Sequence, residues 1–251
     1  MSSRWQIRSQ ARTRSFKPPM SRRLILIRHG QTTYNATGRM QGHLDTELSE
    51  LGYEQARAAA RLLQDQGVSK IVASDLLRAR ETARVVAEAL GVDFTTDTRL
   101  RETHLGRWQG RTSAEVDEEF PGARAIWRHD PTWAPPEGES RVDVAERARP
   151  VIDELMQDFA GWEAGPVLIV AHGGAISALT CHLLGLDHAQ YGILSGLKNT
   201  HWSQLTARPD FNPDTPLSSL EFNAQNVGTA KWYFDGWNMG GEVTGDGGAD
   251  I

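Results

Sequence analysis

Leu24-Ile25-Leu26-Ile27-Arg28-His29-Gly30 is the stretch that decides how this chain is read. Four consecutive apolar residues between arginines predict a strand buried on both faces, the kind found in parallel sheets covered by helices. Val167-Leu168-Ile169-Val170-Ala171 repeats the design and runs into His172-Gly173-Gly174. In open α/β sheets, ligands bind outside the carboxyl ends of the strands, so both imidazoles are expected at one edge. The glycines beside them let a ligand approach the backbone and leave N–H groups for an anion.

Working outward, the periodicity alternates between strand and helix. Ser49 is expected to cap a helix with Tyr53, Ala56, Ala60 and Leu63 on one face, stopped at Gly67. Ile71–Ala73 reads as a strand, and Asp75 as the cap of a helix that ends at Gly91. Val92–Thr96 reads as a third strand. Thr112 and Glu115 form a capping box for a short helix ending before Pro121-Gly122. Ser140 opens a long helix whose apolar register continues through Pro150, so the proline should kink it without ending it. A helix follows Gly173-Gly174 to Gly185, and Thr200–Thr206 and Ala230–Phe234 read as strands near a sheet edge. Strands alternating with helices imply an α/β protein with a mostly parallel central sheet covered on both faces. Residues 22–237 are expected to form one domain, between a basic disordered extension over 1–21 and a Gly-rich acidic tail over 238–251.

Composition narrows the class. The 251 residues carry a net charge of −5, and residues 1–23 hold six Arg and one Lys with no acid, so the body of the chain is more acidic than the total. Such a body is not expected to bind nucleic acid. No apolar run approaches the ~20 residues that span a bilayer, so no membrane partner is expected. One cysteine, Cys181, excludes an internal disulfide framework and points to a reducing, cytoplasmic setting; its apolar helical neighbours predict a buried structural thiol. The eight histidines show no HExxH-like spacing, so no metal site is expected.

Several side chains fall at the same sheet edge as His29 and His172. Arg78 lies in the first turn of a helix, where it opposes the helix dipole and its position calls for a reason. Glu102 lies just beyond the third strand. Arg28, Arg78, His29, His172 and Glu102 thus make a cationic pocket with one acid. Arginine forks bind phosphoryl oxygens, and neighbouring cations keep an imidazole neutral and nucleophilic. Attack by His29 on phosphorus would give a phosphohistidine, while Glu102 protonates the leaving oxygen and later deprotonates a water. Taken singly, each residue has a plainer reading as a core-edge histidine or surface charge. Their joint placement is what carries the inference. Trp108, Trp127 and Trp133 are expected mainly in the core, with a pocket-lining role as the alternative.

These motifs are similar to those of the histidine phosphatase superfamily, the phosphoglycerate-mutase-like proteins. The likeness rests on Leu26–Thr32 with Asn35 and Gly52, on Ser74–Ala79 with Thr82-Ala83, on Leu100-Arg101-Glu102 with Gly106–Gly110, and on Val170–Gly174. The resemblance implies a three-layer α/β/α sandwich and a catalytic set of His29, Glu102, Arg28, Arg78 and His172. It adds Asn35, Gln41 and Gly173 as substrate-binding groups. Within the superfamily, Arg39–Gly42, Asp45–Gly52, Arg101–Gly106, and Trp133–Pro135 followed by Gly138–Ala145 resemble the actinobacterial branch that dephosphorylates glucosyl-3-phosphoglycerate. That branch implies a small phosphorylated substrate, no metal or organic cofactor, and a homodimer. The alternatives are a mutase, whose arginine-containing insertion after the acid motif is not found here, and a non-enzymatic module that binds phosphorylated ligands.

Overall fold

The computed structural model describes residues 21–210 and 221–243; most of the expected basic extension and most of the acidic tail lie outside them. The chain forms a six-stranded sheet made of β1 (Arg22–Arg28), β2 (Lys70–Ala73), β3 (Phe94–Thr96), β4 (Val167–Ala171), β5 (Trp202–Arg208) and β6 (Lys231–Met239). The order is β3-β2-β4-β1-β5-β6. The first four strands in that order run parallel, and β5 and β6 are added antiparallel. The sheet is therefore mixed but mostly parallel, with the two apolar stretches β1 and β4 adjacent at its centre.

Side-chain alternation along β1 divides the core in two. Leu24 and Leu26 face α6 (Arg141–Asp158) and α7 (Gly173–Leu183), packing with Ile152, Leu155, Ile176 and Leu179. Ile25 and Ile27 face the other way, onto Ala59, Ala60 and Leu63 of α2 (Glu50–Gln64) and Ala79, Ala83 and Val86 of α3 (Leu77–Leu90). All four β1 residues are fully buried, each stabilising the fold by about 1.5–3 kcal/mol. The result is the three-layer sandwich expected from the sequence.

Local chemistry sets the helix ends. Ser49 Oγ accepts from Gly52 N–H, the predicted capping box at Thr112 forms ahead of α4 (Ser113–Glu119), and the expected cap at Ser140 proves to be a capping box with Asp143. The helix of α6 continues through Pro150. Gly91 ends α3 with φ 66°, the left-handed backbone that glycine adopts without steric cost. Asp75, expected to cap α3, does not: Leu76 holds the N-cap position and offers no side-chain bond. The Asp75 carboxylate is instead engaged by Arg101, at 2.8 Å (Nε–Oδ1) and 2.5 Å (Nη2–Oδ2). The cap comes from another loop, where Asp45 Oδ1 accepts the Leu77 N–H at 2.6 Å.

Two helices sit where no regular structure was expected. α1 (Thr33–Ala36) lies inside the 30–47 loop, and α5 (Ala123–His129) follows the turn at Pro121-Gly122. α4, α5 and the 3₁₀ turn Gly106–Trp108 enclose a small aromatic core in which Trp108 packs on Phe120, Trp127 and Trp133. Trp108 is fully buried, so its part is core packing. Among the described residues no helix is long and apolar enough to cross a membrane.

Candidate active site

His29 follows directly on the last residue of β1, and His172 on the last residue of β4. Because Arg28 and Ala171 are paired neighbours, the parallel register brings the two imidazoles to the same edge. Their rings lie 5.2 Å apart, centroid to centroid, and both are buried, at 2% and 0% exposure. His29 Nδ1 is 2.7 Å from the carbonyl oxygen of Gly30. A carbonyl only accepts, so Nδ1 carries the proton and Nε2 keeps its lone pair. Burial and the charges of Arg78 and Arg28 hold the pKa of His29 well below the usual imidazole range, so the ring is neutral at pH 7.

The backbone around His29 is fastened from three directions. Gly30 N–H donates to Thr82 Oγ1 at 3.0 Å, and that hydroxyl donates to the Arg78 carbonyl at 2.7 Å, tying α3 to the loop after β1. Asn199 Nδ2 donates to the His29 carbonyl at 2.9 Å. Thr200 N–H donates to the Arg28 carbonyl at 3.1 Å, with Thr200 held at φ 55°. A β-branched residue rarely adopts that backbone, so the strain is stored where the chain closes on His29. Gly30 also permits a close approach: a Cβ there would lie 2.4 Å from the Gly52 carbonyl oxygen.

Arg78 is fully buried. Its Nη1 and Nη2 donate to the carbonyls of Leu44 and Gly42, each at 2.8 Å, which places the guanidinium between α3 and the 42–44 loop. Burial lowers its pKa to about 10, with the nearby Glu102 carboxylate opposing the fall; it remains a cation at pH 7. Arg28 donates from Nη1 to the Leu197 carbonyl at 2.5 Å, and a Cβ on Gly173 would lie 3.5 Å from its side chain.

His172 Nε2 is 2.8 Å from Ser74 Oγ, at the end of β2. Ser74 Oγ also accepts from Leu76 N–H at 3.3 Å. Donation of the serine hydrogen to Nε2 puts the imidazole proton on Nδ1, which is buried and has no partner among the described residues. Burial, followed by the charge of Arg78, holds His172 well below the ordinary range as well.

Glu102 approaches the first turn of α7. Its Oε1 accepts from Thr103 N–H at 2.8 Å and Ala175 N–H at 2.9 Å, and Oε2 from Gly174 N–H at 3.1 Å. The positive end of the helix dipole thus supports the carboxylate. A Cβ on Gly174 would lie 2.6 Å from Glu102 Oε1, so only glycine fits there without displacing the acid. The Glu102 backbone is pinned in turn, its carbonyl accepting from His43 Nε2 and Arg147 Nη2, both at 2.7 Å.

The expected pocket of His29, Arg28, Arg78, Glu102 and His172 is therefore assembled, with Gly173 against Arg28. Asn35 and Gln41 are engaged by their own neighbours. Asn35 Oδ1 accepts from Thr32 N–H at 3.1 Å in the capping box of α1. Gln41 is buried, its Oε1 receiving the hydroxyls of Thr32 (2.9 Å) and Thr46. Ser74, Thr82, Asn199, His43 and Arg147 carry supporting roles that sequence reasoning assigned to none of them. Ser74 stood directly after a predicted strand, which is a usable signal. Arg147 sits mid-helix and gave none. Among the described residues no group of three or more His, Cys, Asp or Glu side chains could hold a metal ion.

A mostly parallel sheet thus carries a buried histidine at each of two adjacent strand ends, with two arginines and a helix-supported carboxylate. The chain belongs to the histidine phosphatase superfamily (branch 1), whose family model matches residues 24–212. It is 47% identical over 231 residues to a glucosyl-3-phosphoglycerate phosphatase of Mycobacterium tuberculosis, covering 90% of this chain and 98% of that one. A protein of the same name from Mycolicibacterium vanbaalenii is 48% identical with the same coverage. A solved structure of a mycobacterial glucosyl-3-phosphoglycerate phosphatase in complex with inorganic phosphate is similar to this chain with a TM-score of 0.76 and 46% identity, over 87% of this chain and 98% of that one.

Proposed function

We propose that this protein hydrolyses glucosyl-3-phosphoglycerate to glucosylglycerate and phosphate through a phosphohistidine on His29. The observation that carries the reading is the pairing of a neutral His29, proton on Nδ1 and lone pair on Nε2, with Arg28 and Arg78, whose charges help to lower its pKa. His29 Nε2 attacks phosphorus. Arg28, Arg78 and the Nδ1–H of His172 offset the charge on the equatorial oxygens, and the Gly173 N–H adds a backbone donor. Glu102, as general acid, gives a proton to the ester oxygen as it leaves. The resulting carboxylate then removes a proton from the water that attacks the phosphohistidine. Asn35 and Gln41 complete the set as substrate-binding groups.

The named substrate is supported by the relatives, which carry that activity in their names and align over 90% of this chain. The reading includes a cytoplasmic enzyme acting as a homodimer. Cys181, a buried free thiol whose pKa burial raises to about 11, suits a reducing compartment. The test is phosphate release with and without a chelator, from a panel of glucosyl-3-phosphoglycerate, mannosyl-3-phosphoglycerate, 3-phosphoglycerate, fructose bisphosphates and α-ribazole phosphate. A clear kcat/KM preference for the first, unaffected by chelation, is expected. A flat profile would withdraw the named substrate, and transfer of the phosphoryl group to bound glycerate would replace hydrolysis by mutase activity.

A further inference from the structure

A phosphoglycerate ester carries a second anion, a carboxylate a few bonds from the ester oxygen. When Glu102 reaches that oxygen, the substrate carboxylate lies near a carboxylate of the protein, so a further cation is required beside Glu102. Arg28 and Arg78 are committed to the phosphoryl group in the mechanism above.

The topology supplies one candidate position. α7 leaves the carboxyl end of β4, and α6 leads through a short connection to its amino end, so both helices start at the site edge of the sheet. Val144 and Ala145 of α6 pack on Ala175 and Ala178 of α7, and it is the Ala175 N–H that holds Glu102. Arg141 lies one turn before Ala145 on the same face of α6. Its guanidinium carbon is 4.9 Å from the centroid of the Trp127 ring, a stacking platform that fixes the side chain without neutralising it.

The remaining contacts of Arg141 are weak. Among the described residues its side chain makes one hydrogen bond, a long one, 3.4 Å from Nη1 to the Arg128 carbonyl. No carboxylate of the described residues lies within ion-pair distance of it, whereas Arg99, Arg101, Arg107 and Arg147 each close on one. A half-buried cation in a helix's first turn, with no carboxylate partner and opposing the dipole, repeats the anomaly of Arg78. At Arg78 the site explains it. Burial lowers the Arg141 pKa, with Cys181 and then Glu102 opposing the fall.

We propose that Arg141 binds the substrate carboxylate, its fork pairing with the second anion while Arg28 and Arg78 hold the first. The inference rests on the glucosyl-3-phosphoglycerate reading. The experiment compares wild type, Arg141→Gln and Arg141→Lys on glucosyl-3-phosphoglycerate and on its carboxamide, which differs only in that anion. Wild type prefers the acid. Arg141→Gln lowers kcat/KM for the acid by ~10-fold or more, mainly through KM, and for the amide by much less; Arg141→Lys recovers part of the difference, since it keeps the charge and loses the fork. An Arg141→Gln enzyme that still prefers the acid as wild type does overturns the assignment and leaves the substrate reading in place. A wild type that treats acid and amide alike also overturns the assignment, whereas a wild type that fails to release phosphate from the acid overturns the substrate reading.

Discussion

At the scale of single residues, the account turns on which imidazole nitrogen is free. The Gly30 carbonyl holds the proton of His29 on Nδ1, and burial with Arg78 and Arg28 keeps the ring uncharged. His29→Ala is therefore expected to abolish turnover with the fold intact, checked by steady-state kinetics and circular dichroism. Ser74→Ala should lower kcat by ~10-fold or more with little change in KM, because it frees the ring orientation and tautomer of His172; an unchanged kcat would contradict that role. The pH dependence has a definite sign. His29 and His172 are lowered in the folded state, so the unfolded chain takes up protons first. Their contribution to stability is present above the unfolded value near 6.5 and is lost as pH falls below it. The limiting slope is about 1.4 kcal/mol per pH unit per imidazole. Thermal denaturation from pH 7.5 to 5 should show a falling Tm, with a shallower fall in His29→Gln.

At the scale of elements, α3 is organised by a residue far from it in sequence. Asp45 supplies the N-terminal cap, and the same loop donates the Leu44 and Gly42 carbonyls that hold Arg78. Asp45→Ala should cost ~1 kcal/mol in urea denaturation and lower kcat/KM by loosening Arg78. Substitution of Gly174 by Ala should displace Glu102, slowing hydrolysis of esters with poor leaving groups more than that of nitrophenyl phosphate. Equal losses on both would argue against the acid role. The contrast between Asp45 and Asp75 marks where sequence reading stops. Asp75 stands at the right spacing for a cap, yet a bidentate arginine two elements away outcompetes the local bond. Caps made by neighbours in sequence, at Ser49, Thr112 and Ser140, were legible; a cap made across the fold was not. α1 and α5 were missed for a related reason, since short helices lack the apolar periodicity that announces α2 and α6.

At the scale of the whole molecule, the sheet is both core and site. The alternation in Leu24–Ile27 binds one helical layer with each pair of side chains, and the same strand delivers His29. Leu26→Ala should therefore cost about 2–5 kcal/mol in denaturant unfolding. The pocket was legible because its residues end or follow a strand, as Arg28, His29 and His172 do, open a helix, as Arg78 does, or lie in the loop beyond a strand, as Glu102 does. Asn199 and Thr200 were not, because their bonds to the His29 and Arg28 carbonyls depend on how the loop before β5 folds over β1. The central claim is a covalent phosphoryl group on His29. It is tested most directly by rapid mixing with substrate, an alkaline quench that preserves phosphohistidine, and mass spectrometry of the peptide containing residue 29. One phosphoryl group per chain on His29, absent in His29→Ala, is the predicted result. Full phosphate release with no adduct on His29 at any quench time would contradict it.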